Sequence, residues 1–143
     1  MDILFICRDA LGSSIVTNLA LAIEAKKGGM DVGVLFTEEA LVAAADGVFR
    51  WPQELTGQEM RWKMADNAMG VGIPTTGGSS QARQIDAHAS VTKAKEGGVT
   101  MFASPIWVTL LGLSGKLPEG INEISRADEL KMLKNVKTII GSF

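Results

Sequence analysis

One cysteine, Cys7, and one histidine, His88, are all the thiol and imidazole in these 143 residues. A single thiol excludes an internal disulfide and makes a reducing, cytoplasmic setting the default. One Cys with one His is too few for a zinc site of the Cys/His type, so no metal is expected. The chain also lacks a basic tract. Lys and Arg number 14 against 16 Asp and Glu, for a net charge of −2, and they are scattered. Nothing stands ready to neutralise a run of phosphates, which argues against nucleic acid as a partner. No apolar run approaches the roughly 18–20 residues that span a bilayer, so no membrane segment is expected. "MDILFIC" opens directly as a strand, without the basic region that begins a signal peptide.

The composition that remains is that of a folded domain. It is 46% hydrophobic and 21% charged, which favours a real core over disorder. The length suits one domain, residues 1–143.

Strands and helices alternate along it. "ILFIC" (3–7) is a continuous apolar run, as expected of a strand buried on both faces. "IVTNLALAIEAKKGG" reads as a helix stopped by Gly28-Gly29. "DVGVLF" (31–36) is the next strand, and "TEEALVAAADG" a helix with Thr37 as its cap and Glu38 and Glu39 at its positive end. "AKKGGMDVGVLF" and "AKEGGVTMFA" repeat one phrase: helix, Gly-Gly, strand. A helix over 105–115 follows, then a short strand in "GINEIS". Ser125 and Asp128 have the spacing of a capping box ahead of a helix over 127–134. "VKTIIGSF" closes as a strand. Five strands, at about 2–7, 31–36, 98–103, 121–125 and 136–141, joined by helices imply an α/β fold with a mainly parallel sheet covered on both faces. Residues 46–90 break the rhythm and read as an insertion, helical at about 57–69, with a flexible loop at "GIPTTGGSS".

Two segments, "ILFICRDALGSSIVTNLALAIEAKKGGMDVGVLF" and "AKEGGVTMFASPIWVTLLGLSGKLPEGINEISRADELKMLKNVKTIIGSF", together about two thirds of the chain, resemble the opening and closing parts of the DsrE/DsrF-like family. The resemblance implies a three-layer α/β/α sandwich that assembles as a homo-oligomer, a trimer or hexamer. It also implies a place in intracellular sulfur metabolism, alongside a sulfur-relay partner. Sulfur-carrying members of the family hold a persulfide cysteine where the third strand ends. Here that position is Ser104, and a serine holds no persulfide.

The candidate site follows from geometry. In an open parallel sheet ligands sit beyond the carboxyl ends of the strands, near helix N-termini. Cys7 and Ser104 therefore belong on one rim. The expected pocket lies between Cys7, Arg8 and Asp9 on one side and Ser104, Pro105, Ile106 and Trp107 on the other. Ser then Pro is a helix start, and the same geometry can attract an anion. Cys7 is the only candidate nucleophile, with Arg8 beside it to favour a thiolate; its plain reading is a small buried hydrophobe. "RDALGSS" offers Gly12, Ser13 and Ser14 before a helix, yet it is neither a Walker motif nor GxGxxG, and a plain βα connection fits it as well. No cofactor is called for. "TTGGSSQAR" reads as a mobile surface loop or as a lid. Trp51, Met60, Trp62, Met64 and Met69 are either core or a contact surface. His88, on a polar helix, is expected to face solvent. Three functions remain open: an accessory or binding protein without the carrier cysteine, a sulfur carrier using Cys7, and a sensor of a small anionic ligand.

Overall fold

The computed structural model describes residues 1–141. The elements in order are β1 (Ile3–Cys7), α1 (Gly12–Lys27), β2 (Val32–Phe36), α2 (Glu38–Asp46), α3 (Gln58–Ala68), β3 (Thr75–Thr76), β4 (Gln84–Ile85), α4 (Ala87–Glu96), β5 (Thr100–Ala103), α5 (Pro105–Leu110), β6 (Ile121–Glu123), α6 (Arg126–Asn135) and β7 (Thr138–Ile140). Five strands form one sheet in the order β6-β5-β2-β1-β7, and every pair in it is parallel. These are the five strands read from the sequence. Among the described residues no helix is long and apolar enough to cross a membrane.

β2 is central, and all five of its residues are buried, as an all-apolar strand with neighbours on both sides must be. Register sets the two faces. Phe5 stands beside Val34, Val34 beside Met101 and Met101 beside Ile121, while Cys7 stands beside Phe36 and Phe36 beside Ala103. All seven share one core with Ile15 and Leu19 of α1, Leu41 of α2, Val91 of α4 and Val108 of α5. The other face is thinner. There α6, none of whose residues is fully buried, shares a cleft with Met1 and Phe102. Helices on both faces of a parallel sheet make the three-layer α/β/α sandwich. The chain steps from β1 through β2 and β5 to β6 in one direction, then returns past β1 to β7. Right-handed crossovers put the linking helices of the outward steps on one face and α6 on the other.

The repeated Gly-Gly phrase is one structure used twice. Gly28 and Gly97 have φ near −76° and −75°, and Gly29 and Gly98 have φ of +87° and +82°. Met30 N–H donates to Ala25 O and Val99 N–H to Ala94 O, both at 3.0–3.1 Å. These are the six-to-one bonds of a Schellman ending, which needs a left-handed residue where only glycine sits without strain.

Three local expectations need correction. Thr37 occupies the cap position of α2, but its side chain makes no capping bond. The helix expected over 105–115 ends at Leu110, because Gly112 and Gly115 take positive φ of 66° and 71° and turn the chain out of it. "TTGGSS" is not a loose loop. Thr75–Thr76 pair antiparallel with Gln84–Ile85, and Arg83 ties the hairpin to α3 through Asp66 at 2.6 Å and lies over the Trp62 ring at 5.2 Å. Ser125 behaves as expected, accepting from Asp128 N–H at 3.1 Å.

Candidate functional site

The carboxyl ends of β1, β2 and β5 lie on one rim, since Cys7 registers with Phe36 and Phe36 with Ala103. Cys7 and Ser104 thus emerge on the same edge, with β2 standing between them, about two strand spacings or roughly 10 Å apart. The corner at Ser104 is closed. Its N–H donates to Phe36 O at 2.9 Å. Its hydroxyl makes no cap bond; it donates to Glu129 Oε1 of α6 at 2.8 Å and is 7% exposed. Pro105 begins α5 at its first position, where the missing N–H costs nothing. Trp107 packs partly buried against the core, while Ile106 is exposed. The Ser104 turn is therefore a strut between β5 and α6.

Cys7 lies under the rim. It is 1% exposed, and burial pushes its thiol up to about 12, with Asn18 as a weaker opposing influence through an Nδ2–H donated to Sγ at 3.6 Å. A reactive cysteine needs the reverse, a lowered pKa in an electropositive and accessible place. Arg8 does not supply it: its guanidinium is exposed and donates to Glu38 Oε2 at 2.8 Å. Asn18 is fully buried, and its Oδ1 has no partner.

An open groove of about 470 Å³ does lie on this rim. Arg8, Asp9, Glu38, Glu39 and Gly141 line it. Arg8 and Asp9 were expected there. The 104–107 segment lies one strand away and contributes no wall to it. Glu38, Glu39 and Gly141 were missed, although the rule that placed Arg8 at the strand end applies equally to the neighbouring β2. Glu38 has φ +53°, the sole non-glycine in the left-handed region among the described residues. Such strain gathers at sites under functional constraint. Three carboxylates face one guanidinium, and Arg50 approaches Glu39 from outside at 2.5 Å. The groove is a poor receptor for an anion and a fit one for a cationic or amine-bearing group.

The loop before α1 is internally satisfied too. Asp9 Oδ1 accepts from Leu11 N–H, and Gly12 N–H donates to Arg50 O at 2.6 Å. A Cβ on Gly12 would stand 2.7 Å from the Trp51 ring, so the indole covers the place where a phosphate would approach. Ser13 follows as a half-buried residue whose carbonyl accepts from Thr17. "RDALGSS" is a βα connection. His88 is exposed on α4. Among the described residues no three acidic, His or Cys side chains gather to hold a metal ion.

No family model matches the sequence, and no curated protein matches it. Solved structures do match. The chain is similar to the ychN protein from E. coli, with a TM-score of 0.62 and 12% identity over 99% of this chain and 98% of that one. The likeness extends across the whole sandwich and shows that the two chains share a fold.

Proposed function

We propose that this chain is a DsrE-like accessory or binding protein linked to intracellular sulfur metabolism, one that recognises a partner or small molecule at the sheet rim and carries no sulfur itself. The observation that supports this reading is the lack of an available thiolate on the rim. Ser104 stands where the family resemblance puts a carrier cysteine, and Cys7 is sealed beneath as a protonated thiol. The acidic groove of Arg8, Asp9, Glu38 and Glu39 is the surface that remains for recognition. It suits a cationic segment of a sulfur-relay partner better than an anionic metabolite. The proposed setting is cytoplasmic and the proposed assembly a homo-oligomer, trimer or hexamer. Exposed Ile106, Leu110, Leu130 and Ile139 supply apolar surface for that assembly.

The test is intact-mass analysis of the native protein after incubation with a polysulfide donor. No mass gain is expected. A gain of one sulfur atom that disappears in Cys7→Ala would refute the reading and make Cys7 a carrier. Light scattering reports the assembly, and a monomer at micromolar concentration would remove that part of the proposal.

A further inference from the structure

A second cavity, walled in part by Trp51, is built within residues 46–90. It holds about 270 Å³ and is more enclosed than the rim groove. Trp51, Leu55, Met64 and Ile85 give it apolar walls, and Arg61 lines it as well. The walls are fixed. Trp51 rests on Gly12 at a distance that admits no Cβ. Ile85 belongs to the hairpin that Arg83 binds to Asp66. Arg61 and Met64 sit three residues apart on α3 and so share a face.

Arg61 is the unusual member. Its Nε is cut off from solvent and has no hydrogen-bond partner. Arg8, Arg50 and Arg83 each reach a carboxylate, and Arg126, which reaches none among the described residues, is exposed to solvent. Arg61 has none within ion-pair distance among the described residues. A buried donor without an acceptor is rare in folded proteins, and on a charged group it is costly. Nε itself is closed to a ligand oxygen, but an anionic oxygen in the cavity can meet the rest of the half-buried guanidinium and answer its charge. Apolar walls with one or two placed polar groups are the usual make-up of a small-molecule site. The volume falls just under the roughly 300–1,000 Å³ typical of such sites, which keeps the ligand small.

We propose that the cavity between Trp51, Met64, Ile85 and Arg61 is a binding site for a small carboxylate with a compact apolar body, the carboxylate on the Arg61 guanidinium and the body against the Trp51 indole. The site is separate from the rim groove and independent of the sulfur-linked reading.

Phenylacetate is the probe, with phenylacetamide as its uncharged isostere and acetate as the anion without a body. Calorimetry and saturation-transfer NMR on the full chain should show phenylacetate binding at one site, at least tenfold tighter than either control. Arg61→Met should lose at least tenfold in phenylacetate affinity while leaving phenylacetamide unchanged. Ile85→Trp, which fills the cavity and keeps the arginine, should abolish binding of both. Circular dichroism establishes that each variant is folded. If Arg61→Met proves unfolded, Ile85→Trp and the phenylacetamide comparison decide alone. Equal affinity for acid and amide, full binding by a folded Arg61→Met or Ile85→Trp, or no saturable binding of phenylacetate at millimolar concentration would each overturn the proposal.

Discussion

Moving from pH 7 to pH 10 should leave Cys7 a thiol in the folded protein and make it a thiolate in the unfolded one. Its native pKa of about 12 comes first from burial, against roughly 8.5 for a free cysteine. At pH 8 the thiolate fraction is then about 10⁻⁴ in the native state and roughly 0.2 in the unfolded chain. Since only the thiolate is alkylated, native Cys7 should react with iodoacetamide on the order of 10³-fold more slowly than in denaturant, and its 1% exposure slows it further. The same shift has a thermodynamic sign. The folded state favours the neutral form, so the contribution of Cys7 to stability is complete below about pH 8.5 and declines as pH rises towards 12. The decline is roughly 1.4 kcal/mol per pH unit, about 2 kcal/mol by pH 10. The chain has no tyrosine, so phenol titration does not blur this range. Urea melts of wild type and Cys7→Ala between pH 7 and 10 should converge as pH rises. Alkylation of the native protein within tenfold of the denatured rate, or parallel pH profiles for the two proteins, would refute the reasoning.

The paired glycines give a sharper backbone test. Gly29→Ala, at φ +87° with open space around it, should destabilise by about 1–2 kcal/mol from backbone strain alone; Gly28→Ala, at φ −76°, should be neutral or gain a few tenths, and equal melts for the two would remove the Schellman assignment. In the hairpin, the hydrogen bond from Arg83 holds the Asp66 carboxyl below its ordinary value. The contribution of this pair is therefore present above about pH 3.9 and lost as pH falls through the native pKa. Carboxyl titration by NMR should show Asp66 depressed in wild type and raised towards the ordinary carboxylate range in Arg83→Gln, and an unchanged titration would contradict the pairing.

The sheet was legible because two of its inner strands, β1 and β2, are apolar throughout and two helix endings carry Gly-Gly. Those signals are local, and the structure uses them locally: Ala25 to Met30 and Ala94 to Val99 close the same bond. The rim was half legible. Arg8 and Asp9 follow a strand end visible in sequence, but Glu38 and Glu39 read only as charges suited to a helix start, and their nearness to Arg8 depends on β2 lying beside β1. That same adjacency separates Ser104 from Cys7, and no spacing in the chain announces it. The hairpin escaped notice because two-residue strands have no periodicity. Its order comes from Arg83 reaching Asp66 across 17 positions. Arg61 carries no sequence mark at all; what distinguishes it is an acceptor that is not there.

The dipeptide Arg50-Trp51 belongs to both halves of the molecule. Arg50 exchanges backbone bonds with Ala10 and Gly12 and grips Glu39 in the rim groove, while the next residue forms the indole wall of the Arg61 cavity. Residues 46–90 are thus bolted to the sandwich beside the groove. One peptide bond therefore joins the indole wall of the cavity to the ion pair at the edge of the groove.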